Sequence, residues 1–280
     1  DQYVLASDRI CSSDIVQGSL GDCYFLGSMA VLSDRKNLIQ RLFHTRTLNK
    51  AGCYSIWLCD SGEWKNIIID DYIPCKDGKP CFSTSRSNDL WVMLLEKAFS
   101  KMFGNYHNTH SGWAADAMFA LTGAPCKKYK TKKLIHQSDM IQLWDFIIAS
   151  VKNKQPLLCS SKNKNFRYSK SVGIVWHHIY SILDAREIST GRDTKEKLIK
   201  MRNPWGRFDW KGAWSDSSPL LTPAVKKMLG YVPDENDGVF WINLKDYMTY
   251  FTNTYSCQLK EDFQSSFLKL GEKKLQRYFF

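Results

Sequence analysis

Hydrophobic residues recur with a helical period just after a polar stretch near the start of the chain. Residues 11–22 are small and polar, which is typical of a loop, and apolar residues then fill the segment 24–32 at helical spacing. Asp22 stands where an N-cap would lie. We therefore expect Cys23 in the first turn of a buried helix.

Two further elements are predicted before residue 124. Residues 53–73 alternate between polar and apolar types and are rich in Ile, Tyr and Trp, and Asp60-Ser61-Gly62 supplies a turn. This pattern predicts a β-hairpin. Residues 90–103 return to helical spacing with one apolar face, which we expect to pack into the core rather than to form a binding groove.

The pattern changes after Gly123 and Pro125, which mark a break in the chain. One more helix is predicted around residues 140–148. Four strand-like runs follow, at residues 156–159, 178–183, 197–201 and 238–242. We predict an α+β protein with a helix-rich domain over residues 1–124, a β-rich domain over 125–250, and an extension over 251–280 leading toward a further domain.

Composition and charge exclude several classes of protein. Hydrophobic residues make up 44% of the 280 residues, so the chain is not wholly disordered. It has no apolar run of 18 residues, so we expect no membrane-spanning helix. The formal net charge is +11. Two basic stretches stand out, Lys127, Lys128, Lys130, Lys132 and Lys133 in one and Lys162, Lys164, Arg167 and Lys170 in the other.

Both basic stretches are interpreted first as solvated loops. A preference of these loops for acidic surfaces or anionic lipid head groups is the functional alternative. We expect no nucleic-acid partner, because most of the positive charge is spread along the chain.

The nine cysteines are odd in number and irregular in spacing, and none forms a C-x-x-C pair. No signal segment opens the chain. We therefore expect a reducing compartment, the cytoplasm, and mostly reduced thiols. The abrupt first and last residues suggest a piece of a longer protein.

Cys23 is the candidate nucleophile. A thiol reacts as the thiolate, and a helix N-terminus or an imidazolium lowers its pKa. The tight segment that leads into Cys23, residues 18–22, also allows the backbone N–H of Cys23 to approach a substrate carbonyl. A buried structural cysteine is the alternative interpretation, and it fits most of the other eight.

His178 and Asn203 are candidates for the base and for its orienting partner. His178 opens one predicted strand, and Asn203 follows the next one. Adjacent strands with these ends can bring the two side chains within hydrogen-bonding distance. The carboxamide of Asn203 would then fix the tautomer of the imidazole, as an aspartate does in serine hydrolases. Together with Cys23, these residues indicate acyl transfer by a thiol.

Six segments resemble those of the calpains, a family of papain-like cysteine proteases. Three contain the candidates above, at residues 17–26, 178–181 and 202–206, and three more match at residues 69–74, 94–98 and 210–216. Order and spacing fit over residues 7–250. The resemblance implies a papain-like fold of two lobes, with a helix-rich first lobe and an antiparallel β-rich second lobe.

The resemblance also implies a role for each matching residue. Cys23 would be the nucleophile, His178 the general base and then acid, and Asn203 the residue that orients the imidazole. The side chain of Gln17, with the backbone N–H of Cys23, would form the oxyanion hole. The residues expected along the substrate cleft are Gly21, His177 and Trp205.

Calpains that resemble this chain bind one calcium ion in each lobe, so the resemblance implies a Ca²⁺-dependent enzyme. In the first lobe Asp14 and Glu96 match carboxylate ligands, and Ser7 and Arg9 fall where backbone carbonyls coordinate. In the second lobe the matching positions are Asp209, Asp216, Glu235 and Asp237. The alternative is that the three aspartates of the second lobe are ordinary solvated carboxylates.

Several positions depart from the family pattern. Arg9 and His177 each replace a glycine, and the bulky ring of His177 is expected to narrow the cleft. Val239 replaces a glutamate ligand, and Ser12 replaces the arginine that pairs with that glutamate across the cleft. Both ends of this coupling device are missing, which weakens the case for calcium control.

We therefore predict a calpain-like intracellular cysteine endopeptidase that acts on protein substrates. The first alternative is an inactive scaffold that uses the cleft or the basic loops to bind partners. Another thiol acyl transferase, such as a transglutaminase, is the second.

Overall fold

The computed structural model describes Leu5 and residues 10–87, 89–131, 136–162, 171–191, 194–232 and 237–260 of the chain. Seven α-helices lie within these residues. They are α1 (Cys23–Ser33), α2 (Lys36–Gln40), α3 (Trp91–Met102), α4 (Ala114–Thr122), α5 (Gln137–Lys152), α6 (Pro223–Leu229) and α7 (Leu244–Tyr250).

Twelve strands lie within the same described residues. The first six are β1 (Ile15–Val16), β2 (Cys53–Asp60), β3 (Glu63–Asp70), β4 (Cys75–Lys76), β5 (Lys79–Pro80) and β6 (Thr84–Ser85). The other six are β7 (Cys126–Lys130), β8 (Leu157–Ser161), β9 (Ile179–Ser189), β10 (Lys195–Arg202), β11 (Val239–Asn243) and β12 (Phe251–Cys257). Two short 3₁₀ turns, Ser12–Asp14 and His107–Thr109, complete the described elements.

The first half of the chain is built around α1. All residues of this helix after Cys23 are buried, as expected for a helix that is apolar on every side. It packs against α2, α4 and β9. The hairpin β2–β3 and the apolar face of α3 close the same core.

The second half is built around one antiparallel sheet of six strands, in the order β11-β10-β9-β8-β12-β7. Successive side chains of a strand point to opposite faces. Ile179 accordingly joins the core of the first half, while Tyr180 and Ile182 join a second core under α5 and α7. The sheet is thus covered on both faces near the start of β9.

The predicted α+β class is confirmed, with a helical N-terminal part followed by a six-stranded antiparallel sheet. The hairpin is confirmed as β2–β3, and the helices predicted at residues 90–103 and 140–148 are α3 and α5. The four strand-like runs are β8, β9, β10 and β11. The sequence pattern did not predict α4, α6, α7 or β12.

The described lysines of the first basic stretch are exposed, as predicted, but the prediction of a loop is wrong for them. Lys127, Lys128 and Lys130 lie in the edge strand β7, which pairs with β12. The Nζ of Lys128 lies 4.7 Å from the ring centre of the exposed Trp113, a cation–π contact at the protein surface. Lys132 and Lys133 lie outside the described residues, as do Lys164, Arg167 and Lys170 of the second stretch.

The predicted extension begins with a strand of the sheet. Residues 251–257 form β12, which lies between β8 and β7. A boundary after residue 257 therefore fits the structure better than one after residue 250. The division near residue 124 stays a prediction, and the core of the first half also contains Leu158, Ile179 and Tyr255 from beyond it.

Among the described residues, no helix combines the length and the apolar character needed to cross a lipid bilayer.

Candidate active site

Cys23 is the first residue of α1 and is half-buried. This position exposes its sulfur to the positive end of the helix dipole, which favours a thiolate. Asp22 occupies the N-cap position as predicted, but its side chain makes no capping hydrogen bond. The Asp22 carboxyl is 1% exposed, and burial, more than the nearby Glu96, raises its pKa to about 9. This carboxyl is therefore protonated near neutral pH and does not act as an anionic cap.

A loop from another part of the first half holds Gly21. The Gly21 N–H donates to Nδ1 of His110 (3.2 Å), and the Gly21 carbonyl accepts from the N–H of Ser111 (3.0 Å). A Cβ at position 21 would lie 2.7 Å from Cε1 of His110. A larger residue here would therefore have to displace the His110 ring. His110 was not predicted to contribute to the site, because no sequence pattern connects it with Gly21, 89 residues earlier.

His178 and Asn203 are brought together as predicted. Nε2 of His178 lies 3.1 Å from Oδ1 of Asn203, and both side chains are buried. Nδ2 of Asn203 donates to the carbonyl of Arg207 (2.7 Å), which fixes the orientation of the carboxamide. Because an amide oxygen only accepts, the hydrogen of this bond belongs to Nε2 of His178. Nδ1 is then the ring nitrogen that can take a proton from a thiol.

The backbone of His178 is also fixed. Its N–H donates to Oγ of Ser161 (2.9 Å), and its carbonyl accepts from the N–H of Ser161 (2.9 Å). The Ser161 hydroxyl donates in turn to the carbonyl of Val175 (2.9 Å). Ser161, the last residue of β8, was not among the predicted site residues.

Trp205 covers the histidine and reaches across to the first half. Its ring centre lies 4.5 Å from that of His178, and its backbone N–H donates to Oδ1 of Asn203 (3.1 Å). Its indole Nε1 donates to Oε1 of Gln17 (2.7 Å). Nε2 of Gln17 donates one hydrogen to the carbonyl of Leu20 (2.8 Å). The second Nε2 hydrogen of Gln17 is the one that could reach a substrate oxygen.

Helix α1 lies against β9 and brings the nucleophile segment to the histidine. A Cβ on Gly27 would lie 2.8 Å from Cγ2 of Ile179. Farther along the helix, Arg202 donates to the carbonyl of Ala30 (3.1 Å), and Arg202 pairs across β10 and β9 with Ser181. Helix and strand therefore run in the same direction.

This shared direction decides where the reacting groups lie. Cys23 precedes Gly27 by one helical turn, and His178 directly precedes Ile179. Both therefore lie at the same end of the contact between α1 and β9.

His177 has a backbone φ of +52°, a conformation in which glycine is favoured. Its side chain is exposed, and its N–H donates to the carbonyl of Lys162 (3.0 Å). The structure thus holds His177 in a conformation that a glycine would adopt with less strain. Whether the ring narrows the cleft stays a prediction.

Ser12 and Val239, which stand where the sequence analysis expected an arginine and a glutamate to pair, face a common cavity. Ser12 and Val239 both line a cavity of about 410 Å³, together with Arg86. Nη2 of the Arg86 guanidinium donates to the carbonyl of Trp205 (3.3 Å). A cation of the first half thus contacts the segment that carries Asn203, although it occupies a different position from the arginine of the family pattern.

The carboxylate expected to bind calcium in the first half is already engaged. Both carboxylate oxygens of Glu96 lie 3.1 Å from the N–H of Ser83, which donates to them. Glu96 is 2% exposed, and burial raises its pKa. Oδ2 of Asp14 accepts from the N–H of Cys11 (3.3 Å). Both carboxylates thus have backbone partners, and calcium binding by this pair stays a prediction. Ser7 and Arg9 lie outside the described residues.

In the second half, the three predicted aspartates lie close enough to Tyr231 to raise the pKa of its hydroxyl. The Tyr231 hydroxyl donates to Oδ1 of Asp216 (2.7 Å). Burial first, and then Asp216, Asp237 and Asp209, raise the pKa of Tyr231. Val239 contributes its carbonyl to the same hydroxyl (2.9 Å) and no carboxylate. Glu235 lies outside the described residues.

Among the residues with a described position, no group of three or more His, Cys, Asp or Glu side chains is arranged to hold a metal ion. One carboxylate oxygen each of Asp209 and Asp216 is buried, and calcium binding by the predicted positions stays a prediction.

The sequence is similar to those of known proteins over most of its length. The family model described as "Calpain family cysteine protease" matches residues 1–258. The "Calpain-type cysteine protease DEK1" of Zea mays is 38% identical over 263 residues, which are 92% of this chain and 12% of that protein.

Animal relatives show the same pattern. The "Calpain-1 catalytic subunit" of Rattus norvegicus is 32% identical over 265 residues, which are 91% of this chain and 36% of that protein. "Calpain-14" of Homo sapiens is 33% identical over 254 residues, 88% of this chain and 36% of its own. The chain thus spans only about an eighth to about a third of the length of these relatives. The chain belongs to the calpain family of cysteine proteases.

Proposed function

We propose that this chain is the catalytic core of a cysteine endopeptidase that cleaves protein substrates. The observation that carries the proposal is the hydrogen bond between Nε2 of His178 and Oδ1 of Asn203. This bond leaves Nδ1 of the imidazole available for proton exchange. The imidazole lies at the same end of the α1–β9 contact as Cys23, which begins a helix.

The chemistry follows from these groups. Cys23 transfers its proton to Nδ1 of His178, and the thiolate attacks the carbonyl carbon of the scissile peptide bond. The backbone N–H of Cys23 and the remaining Nε2 hydrogen of Gln17 stabilise the oxyanion. The imidazolium gives its proton to the leaving amine, and a thioester forms. His178 then takes a proton from water, whose oxygen attacks the thioester and releases the acid and the Cys23 thiolate. The imidazolium returns its proton to that sulfur, which restores the thiol.

The two halves of the chain are proposed to act as the two lobes of a papain-like fold, with the cleft between them. Gly21 and Trp205 would line the cleft from opposite lobes, and His177 would lie beside the base. The division at residue 124 and further domains of the same polypeptide belong to this proposal. The length of the relatives supports further domains.

A reducing compartment, the cytoplasm, is proposed as the place of action. None of the nine cysteines, all of which lie within the described residues, forms a disulfide. Contact of the basic residues with an anionic membrane surface stays a proposal, and the edge strand β7 supplies Lys127 and Lys130 as exposed cations for it.

The proposal is tested by chemical labelling of Cys23. Iodoacetamide at limiting concentration is expected to alkylate Cys23 faster than any other thiol of the chain, because the helix terminus and the imidazole favour its thiolate. His178→Ala should slow this reaction and leave the exposed Cys53 and Cys75 unaffected. Mass spectrometry of each cysteine-containing peptide measures the rates. Equal labelling of Cys23 and Cys53 would favour the inactive scaffold, and amine incorporation without peptide cleavage would reveal a transglutaminase.

Calcium control is the finer part of the proposal, and peptidase rate against free calcium measures it. Because Glu96 already accepts hydrogen bonds from Ser83, and Val239 supplies no carboxylate, we expect a shallow response. Adding calcium to chelator-treated protein should raise the rate about fivefold or less, the low end of allosteric coupling. Magnesium at the same concentration is the control. A protein that is inactive in chelator and fully restored by calcium would show that both sites rearrange and assemble.

A further inference from the structure

Cys126 and Cys257 face each other across the edge of the six-stranded sheet. Cys126 begins the edge strand β7, Cys257 ends β12, and the two residues are paired in the antiparallel register. Cys126 is half-buried, whereas Cys257 is fully buried. The established family chemistry uses neither thiol.

The hydrogen bonds around the pair define its geometry. At the neighbouring position, the N–H of Gln258 donates to the carbonyl of Pro125 (2.8 Å). At the other end of β7, the N–H of Thr131 donates to the carbonyl of Thr252 (2.7 Å). Hydrogen-bonded and non-hydrogen-bonded pairs alternate along an antiparallel ladder. Counting from either end makes Cys126 and Cys257 a non-hydrogen-bonded pair.

A non-hydrogen-bonded pair suits a disulfide. The Cα atoms of such a pair are separated by about 4.5 Å, and disulfides span Cα separations of about 4.4–6.8 Å. The Cys126 thiol donates to the carbonyl of Ala124 (4.0 Å), and the Cys126 and Cys257 side chains leave directly opposed positions on the same face of the sheet. Joining the two sulfurs therefore requires only a small movement of side chains.

The surroundings also favour a thiolate at this place. The Cys126 side chain lowers the pKa of Cys257, against burial, which raises it, and the Arg35 guanidinium lowers it further. Oγ1 of Thr122 lies 3.5 Å from the Cys257 sulfur. Cys159 is a contrast in the same sheet, because burial raises the pKa of that thiol.

We propose that Cys126 and Cys257 form an oxidation-sensitive dithiol, which a peroxide converts into a cross-strand disulfide. Loss of one proton to water from the half-buried Cys126 leaves a thiolate opposite the Cys257 thiol. The half-buried Cys126 thiolate attacks one peroxide oxygen and becomes a sulfenic acid, while the other oxygen leaves as water after taking up a proton. The sulfur of Cys257 then displaces the sulfenic hydroxyl as a second water. Two thiols and one hydrogen peroxide thus give one disulfide and two waters.

The cross-link would join the segment that leads out of α4 to the end of the last strand. Residues 123–125 connect α4 to β7, and α4 packs against both β7 and β12. A disulfide here would fix the edge strand to the sheet and close most of the second half into one covalent loop. We therefore expect oxidation to stabilise the protein, because the loop restricts the unfolded chain.

The experiment uses the 280-residue chain carrying Cys23→Ala, so that its result does not depend on the proposed peptidase activity. Protein treated with a few equivalents of hydrogen peroxide is alkylated, digested and analysed by mass spectrometry without reduction. We expect a linked pair of peptides that contains Cys126 and Cys257. We also expect a rise in Tm of roughly 5–10 °C that dithiothreitol reverses. Cys159 should remain unmodified.

Cys126→Ser removes the more exposed partner and should abolish both the linked peptide and the rise in Tm. Cys126→Ala provides a second variant if the serine variant does not fold. The proposal is overturned if peroxide oxidises Cys126 to sulfinic acid while Cys257 stays reduced. It is also overturned if the linked peptide is absent, or if the rise in Tm persists in the Cys126 variants.

Discussion

Replacing Cys23 with alanine is expected to lower kcat for peptide cleavage by about 10⁶-fold, the loss seen when the nucleophile of a hydrolase triad is removed. The reason is the loss of the only atom that forms the thioester. The fold should change little, because Cys23 is half-buried at the edge of the first core and loses one sulfur atom. Initial rates on casein or a fluorogenic peptide measure the first effect, and thermal unfolding measures the second.

Cys53→Ala is the matched control for this substitution. Cys53 is exposed at the start of β2, so its loss should leave kcat unchanged. Cys23→Ser is informative as well, because a hydroxyl in a site built for a thiolate should react far more slowly than the thiol. Retention of the full rate by Cys23→Ala would contradict the proposed peptidase.

The parts of the site that follow from neighbouring residues could be predicted from the sequence. A polar loop followed by an apolar run predicts that Cys23 begins a helix, and the structure begins α1 at that residue. Two adjacent strand-like runs, one preceded by His178 and one followed by Asn203, predict that the side chains meet. The antiparallel pairing of β9 and β10 produces that contact.

Contacts between segments remote in the chain could not be predicted in the same way. The side chain of His110 lies where Gly21 would carry a Cβ, yet neither segment has a pattern that indicates the other. Asp22 illustrates a second limit. Its position predicts a cap, but the fold buries it beside Glu96, and the cost of desolvating a charge outweighs the benefit of capping.

The basic residues show how tertiary pairing overrides composition. A segment with lysines at positions 127, 128 and 130 is typical of a solvated loop, and β-propensity is low for lysine. It nevertheless forms β7 because β12 offers an unpaired edge, while Tyr129 packs against the second core. An edge strand with lysines also resists pairing with other chains.

The hydrogen bond between Gln17 and Trp205 links the proposed oxyanion donor to the residue that covers the base. Oε1 of Gln17 accepts from the indole N–H of Trp205. The backbone N–H of Trp205 donates to Oδ1 of Asn203. A displacement of one half relative to the other would therefore disturb the oxyanion donor and the His178 pair together. The geometry of Asn203 consequently affects more than the tautomer of one imidazole.

Asn203→Ala is expected to lower kcat/KM by about 10²–10⁴-fold, because the imidazole loses the acceptor that holds its hydrogen on Nε2. A comparable loss follows when the orienting residue of a serine protease triad is changed so that the wrong tautomer forms. The substitution also leaves the N–H of Trp205 and the carbonyl of Arg207 without their present partner. An unpaired N–H at the half-buried Trp205 costs up to about 1–3 kcal/mol, so Tm should fall as well.

Two further variants separate the catalytic loss from the loss of stability. Asn253→Ala removes another carboxamide, which donates to Ser160, and should lower Tm while leaving kcat/KM nearly unchanged. Asn203→Asp keeps an acceptor for His178, so its rate should lie between those of the wild type and the alanine variant. Its carboxylate also holds the proton on the imidazolium to higher pH, which should move the alkaline limb of the rate profile upward. If Asn203→Ala and Asn253→Ala lost activity equally, the role of Asn203 would be structural rather than orienting.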